Sequence, residues 1–233
     1  MGDEMNTEKM FINSIDIAEY GARALRDIVI GGTEITNDYF QGRNRTNYTL
    51  MSTTFGLKPV SFTLVYIAQT LRLAMENKSK LEANMFNGCE IYMPDGFYYR
   101  SMLEKIGQAD IKGVDGSQVK VAVPYEFSAI QHDELVTIAD GTSFIAAGTM
   151  PKMDCILSVT VGTTASHYYL GGADFGSVSA GDVLVFDGIN KRFLKNGAPT
   201  TATSWVSFPF VTAGQNAFTA LDTVKVEFYP CYM

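Results

Sequence analysis

Only one stretch of this 233-residue sequence has the apolar spacing of an amphipathic α-helix, and it covers residues 69–86. Charged side chains occupy the other faces of this stretch, and its apolar stripe consists of Leu71, Ala74, Met75, Leu81 and Met85. We expect the stripe to pack on a β-sheet and Gly88 to cap the helix at its C-terminus. Docking of the helix into a partner's groove is the alternative.

The rest of the sequence consists of short runs of β-favouring residues separated by Gly, Pro and Asn. In the first half, the clearest strand predictions cover residues 60–67, 90–93, 97–106 and 119–129. Pro94-Asp95-Gly96 predicts a hairpin, because Pro presets φ and Gly accepts the left-handed conformation. The polar segment 41–47 carries Arg43 and Arg45 and is either a solvated loop or a contact for a neighbouring subunit.

The second part of the chain differs from the first in charge and in periodicity. Residues 139–233 carry only 5 basic and 7 acidic side chains, and they contain no helical period. Eight short strands are predicted there, one of them over residues 204–209, and Asn196-Gly197 is the strongest hairpin signal. We therefore expect three parts: a flexible extension over residues 1–9, one domain over 10–137 and another over 138–233.

These patterns predict a mainly β protein with one helix, in which an N-terminal β-sandwich or split barrel precedes a C-terminal antiparallel β-sandwich. The net charge of −7 disfavours tight binding of nucleic acid. Three well-separated cysteines, Cys89, Cys155 and Cys231, form neither a zinc motif nor a disulfide framework, which favours folding in a reducing cytoplasm. The apolar segment 60–68 is about half as long as a membrane span, so we expect no membrane insertion.

The sequence does not contain the residue groupings that catalysis requires. A nucleophile needs an oriented base, yet only His132 and His167 are present and no G-x-S-x-G occurs. Most acidic residues of the second part lie in turn contexts, and no phosphate-binding glycine motif is found. We expect no enzyme activity, no cofactor and no bound metal.

Sugar binding is the small-ligand hypothesis with residues to support it, because aromatic rings on a β-sandwich can stack on a pyranose. Trp205, Tyr168 and Tyr169 are the candidates. The alternation in Ser-Trp-Val-Ser-Phe-Pro-Phe leaves the face of Trp205 open, and its large apolar ring favours the core over a stacking platform.

Several segments resemble the distal tail proteins of long-tailed phages that infect Gram-positive bacteria. Three segments are similar to the N-terminal domain of that family: MFINSIDI at 10–17, FYYRSML at 97–103 and VPYEFSAIQHD at 123–133. Four others are similar to its galectin-like C-terminal domain: GTMP at 148–151, AGDVL at 180–184, KNG at 195–197 and FP at 208–209. The resemblance extends over nearly the whole chain from Met10 onward.

The resemblance implies a structural baseplate hub and not an enzyme. Such proteins form a homo-hexameric ring at the tail tip of the virion, joining the tail tube protein to the tail-associated tip protein and letting DNA pass. The N-terminal domain builds the ring, and the C-terminal domain projects outward, where some members carry receptor-binding proteins. Synthesis would take place in the cytoplasm of the bacterial host. The alternative function is a carbohydrate-binding module that contacts host cell-wall sugars.

Overall fold

Two separate hydrophobic cores organise the chain. A computed structural model describes residues 9–25, 27–43, 46–115 and 118–233. The first compact unit runs to Gln131 and includes Met233, and the second runs from His132 to Tyr232. The predicted domain boundary falls a few residues later, and the predicted N-terminal extension lies, apart from Lys9, outside the described residues. Within the described part the protein is mainly β with a single α-helix, as the sequence predicts.

The first unit is built on one curled antiparallel sheet. Its strand order is β2-β1-β8-β9-β11-β7-β3, while β4 also pairs with β7 and β10 with β11. A 3₁₀ helix over Ile17–Tyr20 connects β2 to β3. The strands of this unit are β1 (Phe11–Ile12), β2 (Ile15–Asp16), β3 (Ala22–Ala24), β4 (Val29–Ile30), β5 (Ile35–Gln41), β6 (Tyr48–Phe55), β7 (Lys58–Ala68), β8 (Cys89–Tyr92), β9 (Tyr98–Ile106), β10 (Asp110–Asp115) and β11 (Gln118–His132).

The centre of this unit is the long pairing of β7 with β11. Alternate residues on both strands face the core, so that Phe62 lies opposite Tyr125 and Val60 opposite Phe127. The rings of Phe62 and Phe127 stack with their centroids 5.2 Å apart. The apolar residues that alternate along the sequence of these two strands are therefore the residues that are buried in the structure.

The helix, α1 (Leu71–Ala83), is shorter than predicted. The side chain of Thr70 caps its N-terminus by accepting the N–H of Leu73, and Asn84, not Gly88, is the C-cap. Gly88 instead has φ +83° immediately before β8. The prediction of a Gly88 cap was therefore wrong, because the helix ends a turn earlier.

The predicted apolar stripe of α1 is only partly buried. Ala74, Leu81 and Met85 are buried, whereas Leu71 and Met75 are exposed. At 3.6 residues per turn, Leu71 and Met75 share one side of α1 with Glu82, which is buried, so the exposed pair is confined to the first turns of the helix. The prediction that the whole stripe packs on the sheet was wrong for these two residues.

The second unit contains a seven-stranded antiparallel sheet and two short strand pairs. The order in the sheet is β12-β22-β14-β17-β18-β19, with β20 paired to β14; β13 pairs with β21 and β15 with β16. The strands are β12 (Val136–Ile138), β13 (Phe144–Ala146), β14 (Met153–Thr160), β15 (Tyr169–Leu170), β16 (Ala173–Asp174), β17 (Val183–Asp187), β18 (Arg192–Lys195), β19 (Ala198–Thr200), β20 (Phe210–Val211), β21 (Gly214–Asn216), β22 (Lys225–Phe228) and β23 (Cys231–Tyr232).

In this unit one hairpin prediction is confirmed and one strand prediction is wrong. Asn196 and Gly197 both have positive φ and join β18 to β19, which confirms the predicted hairpin. No strand spans residues 204–209: Ser204 forms a single bridge with Asp174, and Pro209 has no N–H to give to a ladder. That strand prediction was wrong.

All three cysteines are free thiols. Cys89 is buried in the core of the first unit and Cys155 in that of the second, while Cys231 is half-buried. Burial raises the pKa of Cys89 to about 11 and that of Cys155 to about 12. Among the described residues, α1 is too short and too polar to cross a membrane.

Candidate assembly interface

A β-hairpin formed by β5 and β6, here called the arm, forms a two-stranded sheet of its own. All seven residues of β5 are exposed. The base of the arm is held at two glycines, since the N–H of Gly31 donates to the carbonyl of Pro59 and the N–H of Gly56 to that of Glu34, both at 2.8 Å. The arm is therefore attached to the first unit at its base.

The two faces of the arm differ in charge, although both expose aromatic side chains, Phe40 on one face and two tyrosines on the other. Residues directly opposite each other across an antiparallel pair share a face, which places Tyr39 with Leu50 and Gln41 with Tyr48. The face they define, here called the apolar face, contains no charged side chain and consists of Ile35, Asn37, Tyr39, Gln41, Tyr48, Leu50, Thr53 and Phe55. The opposite face carries Asp38 and Ser52, whose hydroxyl donates to the Asp38 carboxylate at 2.9 Å.

The apolar face of the arm is open to solvent. Tyr39, Leu50 and Tyr48 are 61%, 53% and 68% exposed, and the two tyrosine rings meet edge to face with centroids 5.7 Å apart. An isolated two-stranded hairpin is marginally stable in water, and contiguous exposed apolar side chains mark interaction surfaces. The arm thus has the chemistry of a strand pair whose core is supplied by another molecule.

The predicted inter-subunit loop lies at the tip of the arm. Arg43 is an exposed turn residue directly after β5, and Arg45 lies outside the described residues. Sequence reasoning found this loop but missed β5. The available signal was the alternation of Ile35 and Tyr39, which is weakened by the polar Asn37 between them.

A second surface of interest, here called the aromatic groove, lies on the outer face of β1, β8 and β9. Phe11, Tyr92 and Tyr98 form one cross-strand row, with ring centroids 6.0 Å apart for the first pair and 4.9 Å for the second. Ser14 and Glu90 complete the lining of a hollow of about 300 Å³. The rings point outward because their strand neighbours Ile12, Ile91 and Tyr99 are fully buried on the other face.

The three sugar-stacking candidates have different environments. Tyr168 is fully buried, and its hydroxyl donates to Asp222 at 2.9 Å; burial first and this bond second raise its pKa to about 12. Its proposed stacking role was wrong, because no ligand reaches a buried ring. Tyr169 is exposed, and Trp205 is 48% exposed with its ring edge-on to Phe193 at 5.2 Å. The expectation that Trp205 lies in the core was therefore wrong as well.

The titratable groups of the second unit form local pairs. His167 Nδ1 lies 2.8 Å from the carboxylate of Asp174. The backbone N–H of Gly176, and then His167, hold the pKa of Asp174 below its usual value. Across the described ranges, no three His, Cys, Asp or Glu residues are grouped to hold a metal ion.

Comparison with solved structures places this arrangement in a known fold. The chain aligns with the crystal structure of the Dit protein of phage SPP1 over 97% of its own length and 99% of the other chain, with a TM-score of 0.70 and 11% sequence identity. The chain has the fold of the SPP1 Dit protein. That protein is described as a paradigm of the hub adsorption apparatus in phages that infect Gram-positive bacteria.

A second solved structure has a weaker likeness. A chain of the phage P2 baseplate, in its activated conformation with calcium, matches with a TM-score of 0.50 and 11% identity over 92% of both chains. Neither a protein-family model nor a curated protein sequence matches the chain. A shared fold therefore supports the resemblance of the sequence segments to distal tail proteins, although the sequence identity is only 11%.

Proposed function

We propose that this chain is a structural hub protein of a phage tail tip. Six copies form a ring that joins the tail tube protein to the tip protein and leaves an open channel for DNA. The observation that carries this proposal is the arm, which presents an apolar face with no core of its own. The SPP1 Dit fold, which extends over nearly the whole chain, supports the same role.

The physical requirements of a ring agree with the features of the first unit. A subunit that offers one surface to the next copy and accepts a different one makes a heterologous contact, which closes into a ring when the rotation allows. The net charge of −7 suits a channel for DNA, because a basic lining would bind phosphates through counterion release and hold the genome back.

In this proposal the second unit carries the receptor-binding proteins at the virion tail tip. Trp205 and the almost completely exposed Val206 offer an apolar contact point there. The hub role is favoured over a carbohydrate-binding module, because Tyr168 is buried and only Tyr169 and Trp205 remain accessible. Synthesis in the host cytoplasm belongs to the proposal, and free buried thiols suit that compartment.

The test measures assembly of the full chain and of two matched arm variants. Leu50→Glu places a charge on the apolar face, whereas Thr49→Glu places the same charge on the opposite face one residue away. We expect wild type and Thr49→Glu to form six-fold rings in negative-stain images, and Leu50→Glu to remain monomeric by sedimentation with an unchanged circular dichroism spectrum. Wild-type protein that stays monomeric at every concentration, or rings formed equally well by Leu50→Glu, would overturn the proposal.

A further inference from the structure

We infer that the arm of one copy binds in the aromatic groove of the next copy. This inference rests on the proposed ring. In the ring, the outer surface of β1, β8 and β9 of the neighbouring copy covers the apolar face of the arm. Both surfaces belong to the first unit, so the contact needs no other protein.

The strand order separates the arm from the groove within one chain. The arm continues directly into β7 and is attached beside β4, which pairs with β7. The groove lies on β1, β8 and β9, and in the order β2-β1-β8-β9-β11-β7-β3 strand β8 is separated from β7 by β9 and β11. In the other direction the 3₁₀ helix connects the two ends of the path, so β8 lies across the curled sheet from β7. A donor surface and an acceptor surface on opposite sides of a subunit are what a head-to-tail ring requires.

The chemistry of the two surfaces is complementary. The apolar face offers Tyr39, Tyr48 and Leu50 to a groove lined by three aromatic rings, and aromatic pairs prefer tilted contacts of the kind the groove already contains. The face has no charged residue that would lose its hydration on docking. Its amides, Asn37 and Gln41, supply N–H donors for the carboxylate of Glu90 at the edge of the groove.

An exposed apolar patch on α1 is less suited to the arm. Leu71 and Met75 lie on α1, which packs against β7, the strand that follows the arm. An arm bound there would contact the side of the subunit from which it projects. Such a contact would not link successive copies into a ring.

Cysteine cross-linking between two differently labelled copies tests the inference. In a Cys231→Ser background, Thr53→Cys on the apolar face is prepared in one batch and Ser14→Cys at the rim of the groove in another, so that the aromatic contacts stay intact. The batches are then mixed with a short bis-maleimide. Cys89 and Cys155 are buried and serve as unreactive background. We expect a covalent dimer in the mixture and almost none in either batch alone, because a bound pair holds its thiols at an effective concentration of order mM.

A matched control separates face-specific docking from simple collision. Thr49→Cys replaces Thr53→Cys, which moves the thiol to the opposite face of the arm, and we expect roughly tenfold less dimer from this pair. In a second measurement, Tyr92→Ser should raise the protein concentration at half-assembly by about tenfold or more, as expected for an interface hot spot. A circular dichroism spectrum identical to that of wild type shows that the variant subunit is still folded.

The outcomes distinguish this inference from the proposed function. Rings without Thr53–Ser14 cross-links, or equal cross-linking from the Thr49 control, mean that the arm docks elsewhere; the inference then fails while the hub stands. A chain carrying both cysteines that cross-links only within itself also overturns it. Absence of both rings and cross-links overturns the inference and the hub together.

Discussion

The hydroxyl oxygens of Tyr66 and Tyr125 lie 2.7 Å apart in the core of the first unit. The Tyr125 hydroxyl also donates to the carboxylate of Glu82 at 3.0 Å, and Lys78 Nζ lies 2.6 Å from the same carboxylate. Glu82 and Lys78 belong to α1, while the tyrosines belong to β7 and β11. A continuous network of polar contacts therefore links the helix to the core side of the sheet.

Tyr125→Phe should destabilise the first unit more than Tyr66→Phe does. Tyr125→Phe removes the hydroxyl at the middle of this network and leaves the Tyr66 hydroxyl and the Glu82 carboxylate without their shared partner. We expect a loss of about 1–3 kcal/mol in the free energy of unfolding. Tyr66→Phe leaves the bond from Tyr125 to Glu82 in place and should cost about 1 kcal/mol. Urea unfolding measures the free energy of unfolding of both variants. Equal losses would contradict the central position of Tyr125 in the network.

The protein should lose stability in alkali. Burial raises the pKa of Tyr66 and of Tyr125, and raises that of Tyr168 to about 12. Below pH of about 10, these phenols are neutral in the folded and unfolded states alike. Above it, the unfolded chain releases protons that the folded chain holds, so the free energy of unfolding falls as the pH rises towards 12. Urea midpoints measured across this range check the slope, and Tyr168→Phe should make it shallower.

Asp182 should stabilise the second unit only above acidic pH. The N–H of Ser179, and then the side chains of Asn196 and Lys195, lower its pKa to about 2 from the usual 3.8. The depressed value means that the contribution is fully present above pH 3.8 and is lost as the pH falls to about 2. Asp182→Asn should lower the melting temperature at neutral pH and match wild type near pH 2. A gap between the two proteins that does not change with pH would exclude this charge effect.

Gly188→Ala should destabilise the second unit through a clash that no side chain can relieve. A Cβ atom there would lie 2.4 Å from the carbonyl oxygen of Pro209 and 2.6 Å from that of Cys155. We expect a loss of about 1–3 kcal/mol, as for other overpacked sites. Gly32→Ala is the control, because a Cβ atom there meets open space and the backbone φ is not left-handed. Thermal melts of the two variants should differ clearly, and similar melts would refute the clash.

The sequence predicts the strands that are buried on one face within the chain itself. The alternation at residues 60–67 and 119–129 becomes β7 and β11, because each period-two pattern matches one face of a shared core. The strand β5 was missed for the opposite reason, since all seven of its residues are exposed in the described structure and its polar positions resemble a loop. Periodicity alone cannot reveal a strand that has no buried face.

The candidate interface was predictable only in part. The loop with Arg43 was recognised as a possible subunit contact, and it lies at the end of the arm. The aromatic groove could not be found, because Phe11 meets Tyr92 and Tyr98 only through the pairing of β1 with β8. Local patterns show which residues form a strand, but they do not show which distant strand lies beside it.

The burial of Cys89 and Cys155 also determines how readily their thiols are oxidised. With raised pKa values, both thiols stay protonated near neutral pH, and the protonated form neither attacks a disulfide nor oxidises readily. Each lies in a different core, so they cannot reach each other without unfolding. The folded chain can therefore pass from a reducing to an oxygenated medium with these two sulfur atoms chemically unaltered.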